Sequence, residues 1–161
     1  MLIFIICISF VNSVFIPAVN IIVNHELSHY NKLLIENDIP CHIQSARVKT
    51  FRSAILKSSR DKTQDIYNLH DLIAFRFVFY NKEDMFKFYH HNKIQKNILY
   101  SKSYFVQPKE NNYKAIHFRY QSIYENIPIK HLECQMFVLN DYYNSLYGSA
   151  TYNKTYEQYC I

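Results

Sequence analysis

The 161-residue chain has little of what builds flexible or repetitive structures, because it contains one glycine and four prolines. This shortage excludes collagen-like chains and flexible linkers. No internal repeat with a period of roughly 20–50 residues is visible, which argues against a solenoid. Charged residues are also few, at 19%, whereas apolar residues make up 49%. Such a chain can bury a core, so one ordinary folded domain is expected at this length.

Paired cysteine motifs are absent as well. The four cysteines are Cys7, Cys41, Cys134 and Cys160, and none lies in a Cys-x-x-Cys pair. Their spacing excludes a zinc knuckle and a thioredoxin-like redox motif. The cysteines also lie far apart in a chain of this size, and this argues against a disulfide framework.

The amino terminus lacks firm charge until Glu26. Leu2 to Val11 is an apolar run of ten residues, the length of the hydrophobic region of a signal peptide and too short to span a bilayer alone. Ala18 suits a cleavage site, although no basic residue precedes the run. We therefore divide the chain into an N-terminal segment, residues 1–18, which is a candidate signal peptide or apolar helix, and a single domain, residues 19–161.

Two other interpretations of this segment stay open. Residues 2–23 could form an uncleaved membrane anchor, although polar residues and Pro17 interrupt them, or they could form a buried first helix of the domain. We expect secretion or membrane tethering through the apolar segment in preference to a cytoplasmic location.

Positive charge is concentrated in one segment. The chain has a formal net charge of +5, and six of its eighteen lysines and arginines fall between Arg47 and Lys62, opposed there only by Asp61. A solvated helix face explains such a run, and so does an anionic partner.

One short pattern indicates a different chemistry. His25-Glu26-Leu27-Ser28-His29 spells HExxH, which on a helix places two histidines one turn apart for a zinc ion. No third ligand follows at a suitable distance, since Glu36 is too close in sequence to return from a second helix. A zinc metalloprotease therefore remains an alternative without supporting context.

Helical and strand-like segments alternate along the chain. This predicts an α/β (α+β) domain with a mixed sheet of about five strands flanked by helices. The expected helices are residues 20–36, 49–59, 82–98 and 141–148, and the expected strands include residues 39–46, 72–80, 116–124 and 129–138.

Two neighbouring segments suit a polyphosphate and a divalent cation. Lys49, Ser53 and Lys57 lie one turn apart on one face of a predicted helix, and such donors suit phosphate oxygens. Asp71 begins a predicted strand that also carries Arg76, and a carboxylate at a strand end is a common Mg²⁺ ligand.

Two later segments are rich in polar groups. Residues 109–117 form a loop with many donors that leads into a strand. Glu133 and Gln135 share one face of the strand over residues 129–138, whereas Cys134 lies on the other. A carboxylate within an apolar strand is costly unless a metal or a partner satisfies it.

Taken together, these segments resemble the RelA/SpoT synthetase family, the alarmone synthetases of the stringent response, from about Ile39 to Tyr147. The order and spacing of several motifs carry the resemblance. They are RxKxxxSxxxK at Arg47, Lys49, Ser53 and Lys57, the metal-binding aspartate and following arginine at Asp71 and Arg76, PKxNGYxSxH around Tyr113, VEIQ at Leu132 to Gln135, and AEYGxAxH around Tyr147.

The resemblance implies a nucleotidyltransferase-like fold that transfers pyrophosphate from ATP to the ribose 3′-OH of GDP or GTP, giving (p)ppGpp. It implies Mg²⁺ as cofactor, with Asp71 and Glu133 as catalytic and metal-binding residues. The ATP-binding residues by the same pattern are Arg47, Lys49, Ser53, Lys57 and Arg76. The acceptor-binding residues are Lys109, Asn111, Tyr113, His117 and Gln135.

Departures from the family pattern fall mainly in the acceptor half. Asn112 replaces a glycine, Phe137 and Val138 replace an Arg-Thr pair, and Tyr142 stands where polar residues are usual. They leave two alternatives open: another acceptor, such as an adenine nucleotide or a tRNA 3′ end, or an inactive nucleotide-binding homologue. No DNA partner is expected, and a homo-oligomer is compatible with the sequence.

Overall fold

The structure, a computed structural model, describes residues 2–63, 65–95, 98–107 and 109–148, except for the side chains of residues 2–16, 18 and 93–95. The helices of this part are α1 (Leu2–Glu36), α2 (Phe51–Arg60), α3 (Lys82–Gln95) and α4 (Leu139–Tyr147), with a 3-10 turn at Ile66–Asn68. The strands are β1 (Cys41–Val48), β2 (Ile73–Phe79), β3 (Ile98–Ser103), β4 (Ile116–Gln121) and β5 (His131–Val138).

The five strands form one sheet in the order β1-β2-β5-β4-β3. Strands β2 and β5 pair in parallel, and the other neighbours pair antiparallel. The predicted mixed sheet of about five strands flanked by helices is therefore confirmed. Strand β3 was not among the expected strands, because its half-exposed edge position shows no clean alternation of apolar and polar residues.

The two faces of the sheet have different chemistry. On β2, Phe75, Phe77 and Phe79 point to one face and are fully buried, whereas Arg76 between them points to the other. Helices α1 and α3 cover the apolar face, where the Phe77 ring lies 4.9 Å from Tyr30 and 4.6 Å from Phe88, centroid to centroid. The opposite face, called the polar face below, is left to carry charged side chains.

Helix α1 begins earlier than expected, at Leu2, and its second half packs on the sheet through Val19, Ile22, Tyr30 and Leu33. In the described part of the chain, no helix is both long and apolar enough to cross a bilayer. The expectation of secretion or membrane tethering through the N-terminal segment is therefore wrong. The division into residues 1–18 and 19–161 stays a prediction, because the side chains on which it was based lie outside the described residues.

The HExxH pattern contributes to the core. Glu26 is buried and accepts hydrogen bonds from the hydroxyls of Tyr120 (2.8 Å) and Tyr124 (3.0 Å). Tyr30 donates to the Tyr120 hydroxyl at 2.7 Å, and burial raises the pKa of both Tyr30 and Tyr120, so these hydroxyls stay protonated. The described residues contain no cluster of three or more metal-ligating side chains. The zinc metalloprotease alternative gains no support.

We predict that Glu26→Ala lowers the free energy of unfolding by roughly 2–3 kcal/mol, because the Tyr120 and Tyr124 hydroxyls lose their buried acceptor. Glu36→Ala is the matched control: it removes a carboxylate from the exposed end of the same helix, where the ion pair with Lys32 is worth at most about 1 kcal/mol. Urea unfolding measures both. Equal effects of the two substitutions would contradict a structural role for Glu26.

Candidate functional site

Strand register gathers two rows of side chains on the polar face. The first, the Glu133 row, crosses the sheet from Arg47 on β1 through Ala74 on β2 and Glu133 on β5 to Arg119 on β4. Residues that pair across neighbouring strands project from the same face. The predicted catalytic Glu133 therefore lies between two arginines, of which only Arg47 was expected from the sequence.

The second row, the Gln135 row, lies two residues further along each strand. It places Arg76, Gln135, His117 and Lys102 side by side on β2, β5, β4 and β3. The Arg76 guanidinium donates to the Gln135 side-chain oxygen at 3.4 Å. The structure thus brings together a predicted ATP-binding residue and two predicted acceptor-binding residues.

Asp71 precedes β2 and ties α2 to the sheet. Its Oδ2 lies 2.8 Å from the Lys57 Nζ and 3.2 Å from the Lys49 Nζ. Burial of Asp71 raises its pKa, but the contacts with Lys57 and Lys49 lower it by more, so the pKa of this carboxyl lies below its ordinary value. The carboxylate is therefore ionised at neutral pH.

Helix α2 carries the remaining predicted phosphate ligand, Ser53. Thr50 caps the helix, accepting from the Ser53 amide at 3.3 Å and donating to the Ser53 hydroxyl at 2.9 Å. The Ser53 hydroxyl therefore lies at the exposed first turn of α2, on the helix whose Lys57 contacts Asp71.

Glu133 is buried on the middle strand of the sheet and has three polar neighbours. Gln135 donates to its Oε2 at 2.8 Å, and its Oε1 lies 3.5 Å from the His117 Nδ1 and 3.8 Å from the Arg119 Nε. Burial raises the pKa of Glu133, but His117 and Gln135 lower it by more, against an opposing contribution from the charge of Asp71. Glu133 is therefore ionised at neutral pH, and it lies within electrostatic reach of Asp71.

His117 connects Glu133 to the loop that is predicted to bind the acceptor. Its Nε2 lies 2.8 Å from the Tyr113 hydroxyl, and its other ring nitrogen faces Glu133. The Lys109 ammonium lies 4.7 Å from the centroid of the Tyr113 ring and 5.0 Å from that of Tyr104. Burial, and then the charge of Lys102, lower the pKa of Lys109.

The turn before Tyr113 depends on two asparagines. The Asn111 side chain accepts from the Tyr113 amide at 3.3 Å, and Asn112 adopts a left-handed backbone with φ of 59°. Asparagine tolerates this conformation better than most residues. The turn thus keeps its shape without a glycine, and Asn111 shapes the backbone that presents Tyr113.

Several side chains of the site were not predicted from the sequence. Arg119 could have been found, since it shares a strand face with His117 by simple alternation. The aromatic neighbours of Arg76 depend on tertiary packing: its guanidinium carbon lies 5.8 Å from the Phe137 ring centroid and 5.6 Å from that of Tyr142. Tyr104 also joins the site only through loop packing, with its ring 5.5 Å from that of Tyr113.

Four buried polar atoms of this region have no hydrogen-bond partner among the described residues. They are Asp71 Oδ1, Arg76 Nε, Arg119 Nε and His131 Nδ1. Native proteins rarely leave such atoms without a partner, so their concentration here indicates a site that takes a polar ligand. The Asp71 oxygen fits a hard divalent cation such as Mg²⁺, which proteins bind through one or two carboxylates together with substrate phosphates.

Solved structures with the same fold include those of three bacterial proteins. The small alarmone synthetase 1 of Bacillus subtilis, bound to its product pppGpp, has a TM-score of 0.71 at 16% identity over 91% of this chain and 81% of that one. The small alarmone synthetase 2 of the same organism has a TM-score of 0.71 at 18% identity over 84% and 77%. A GTP pyrophosphokinase family protein of Streptococcus pneumoniae has a TM-score of 0.64 at 18% identity over 93% and 82%.

At these identities the structural likeness establishes the fold, and sequence comparison establishes the family. No curated protein matches the chain in a sequence search. A family model described as a region found in RelA and SpoT proteins, however, matches residues 46–147. This region holds every predicted site residue and more than half of the sequence, and the chain therefore belongs to the RelA/SpoT family.

Proposed function

We propose that the chain is an ATP-dependent pyrophosphokinase that transfers the pyrophosphoryl group of ATP to the ribose 3′-OH of GDP or GTP, giving (p)ppGpp. One observation carries the proposal: Asp71, which precedes β2, lies against Lys49 and Lys57, and Glu133, on the strand that pairs with β2, lies against Gln135 and His117. Among solved relatives, the small alarmone synthetase 1 of Bacillus subtilis is described with bound pppGpp and with bound AMPCPP, which supports nucleotides at the corresponding face.

The donor half of the site comprises α2 and the β1–β2 side of the polar face. Lys49, Ser53 and Lys57 bind phosphate oxygens of ATP, and Arg47 and Arg76 hold its adenine between them. The contacts of Arg76 with Phe137 and Tyr142 support this role, since they hold the guanidinium against two rings before a base arrives.

Asp71 and Glu133 would hold Mg²⁺, which supplies neutralisation of charge on the ATP phosphates. This fit rests on the Oδ1 of Asp71, a buried oxygen without a partner among the described residues. Because Lys49 and Lys57 already lie against the other oxygen of Asp71, they reach the same phosphates from the protein side. Positioning and charge neutralisation of this kind are the main requirements of phosphoryl-type transfer.

The acceptor half lies across Glu133 on the β4 side. Tyr113 stacks on the guanine base, while Lys109, Asn111, His117 and Gln135 place the nucleotide. The 3′-oxygen attacks the β-phosphorus of ATP, the bond from that phosphorus to the α,β-bridging oxygen breaks, and AMP leaves. Glu133 takes the hydroxyl proton, a role that its ionised state permits and that His117 and Gln135 support by fixing the carboxylate.

We predict that Asp71→Ala and Glu133→Ala each lower the rate of (p)ppGpp formation by at least roughly a thousandfold without unfolding the protein, because each removes a negative charge from the centre of the site. Product formation from labelled ATP, Mg²⁺ and GDP or GTP measures the rate, and circular dichroism checks the fold. Glu125→Ala, in the exposed loop before β5, is the control and keeps wild-type activity. A fully active Asp71→Ala variant would overturn the assignment.

We predict that Tyr113→Ala raises the KM for GDP or GTP by roughly tenfold and leaves the KM for ATP nearly unchanged, because stacking on a base contributes about 1–3 kcal/mol. Tyr113→Phe keeps the ring and shows a smaller change. Tyr143→Ala, which removes an exposed tyrosine of α4, is the control. Parallel assays with ATP or deacylated tRNA as acceptor test the alternative acceptors. A Tyr113→Ala variant with an unchanged KM for guanine nucleotides would disprove the stacking role.

A further inference from the structure

Arg119 occupies a position in the site that neither the sequence motifs nor the proposed function uses. It lies directly opposite Glu133 in the sheet register, with its Nε 3.8 Å from the Glu133 Oε1. Its guanidinium carbon lies 4.9 Å from the ring centroid of Tyr100 on β3, and its Nε is buried with no hydrogen-bond partner among the described residues. Arg119 is therefore a cation held on the polar face with a donor still available.

The carboxylate of Glu133 does not need this donor. Gln135 already donates to its Oε2 at 2.8 Å, and His117 faces its Oε1 at a shorter distance than Arg119 does. At 3.8 Å, the Arg119 Nε is beyond ordinary hydrogen-bonding distance from that oxygen. The guanidinium thus contributes charge near Glu133 without committing its hydrogen bonds to it.

A histidine pair connects the segment that carries Asp71 to the strand that carries Glu133. The rings of His70 and His131 lie 4.6 Å apart, and His131 carries a buried Nδ1 without a described partner two residues before Glu133. His70 is adjacent in sequence to Asp71. The contact between His70 and His131 therefore links the segment of Asp71 to β5, on which Glu133 pairs with Arg119.

These contacts define two walls, of which the first is formed by two lysines and the second combines the Arg119 cation with the His131 ring. Lys49 and Lys57 lie on the β1–β2 side of the carboxylates, and Arg119 and His131 lie on the β4–β5 side. A group that contacts both Asp71 and Glu133 has to lie between the walls. In the proposed reaction that group is the pyrophosphoryl unit being transferred.

We propose that the guanidinium of Arg119, with the His131 ring beside it, binds oxygens of the β- and γ-phosphoryl groups of ATP across from Lys49 and Lys57. Guanidinium groups form strong paired hydrogen bonds with phosphate oxygens, and charge spread over those oxygens is what phosphoryl-type transfer has to stabilise. This inference rests on the proposed function for the identity of the ligand, and it assigns Arg119 as a further binding residue of the donor polyphosphate.

The test measures equilibrium binding of α,β-methylene-ATP, which cannot donate its pyrophosphoryl group, and of AMP, both with Mg²⁺ and without acceptor. For Arg119→Gln, we expect the Kd of the ATP analogue to rise roughly ten- to a hundredfold and the Kd of AMP to stay unchanged, because AMP lacks the phosphates in question. Arg119→Lys keeps the charge but not the planar fork, so its loss is smaller and has the same selectivity. Arg52→Gln removes an exposed arginine of α2 and is the matched control.

Two results would overturn the inference: an Arg119→Gln variant that binds the ATP analogue like the wild type, or Arg119 variants that lose the ATP analogue and AMP to the same extent. Thermal unfolding shows whether each variant folds. If Arg119→Gln does not fold, Arg119→Lys alone shows whether affinity is lost only for the ATP analogue or for AMP as well. Binding is measured without turnover, so the two proposals fail separately. Wild-type protein that makes no (p)ppGpp but binds the analogue through Arg119 refutes only the activity.

Discussion

A carboxylate on the middle strand of a sheet has to be matched by neighbouring side chains, and Glu133 imposes this requirement on the whole polar face. Strand β5 lies between β2 and β4, so residues of both strands lie beside Glu133 in fixed register. Gln135, His117 and Arg119 surround its charge, and each of them also contacts a further side chain: Arg76, Tyr113 and Tyr100, respectively. Because the apolar face of the same strands is buried under α1 and α3, a shift of one residue would place these charges in the core.

The sequence predicts best those parts of the site that lie on a single element. Alternation along β5 separates Glu133 and Gln135 from Cys134, and helical spacing places Ser53 and Lys57 on α2. Lys49, which was expected on the same helix, lies before α2 begins and reaches Asp71 from the connection to β1. Contacts between different strands and helices cannot be predicted from the residue pattern of a single segment. The pairing of Arg119 with Glu133 is fixed by the register of β4 against β5, which no pattern within either strand specifies. Strand β3 was not predicted for a related reason: it is an edge strand that is held by its pairing with β4, and its own residue pattern does not indicate a strand.

The HExxH pattern shows how tertiary packing decides the role of a local motif. Spacing on the helix allows His25 and His29 to share a ligand, but the sheet places Tyr120 and Tyr124 against Glu26 instead. A buried glutamate that accepts two tyrosine hydrogen bonds is already satisfied by the core. Glu26, which would activate water in a zinc protease, is instead held in the core by these two tyrosines, and this contradicts the catalytic interpretation of the pattern.

The departures from the family pattern replace polar side chains by aromatic ones on the predicted acceptor side, but positive charge is still present there. Phe137 stands where the family has an arginine, and its ring lies beside Arg76 and 5.7 Å from the ring of Tyr113. Phe137 therefore packs between Arg76 and Tyr113, which are predicted to bind the donor and the acceptor, respectively. Lys102 and Lys109 remain on that side, at 4.9 Å and 5.0 Å from the Tyr104 ring centroid. The positive charge on the predicted acceptor side therefore comes from Lys102 and Lys109. Phe137, at the position of the family's arginine, instead packs against the guanidinium of Arg76 on β2.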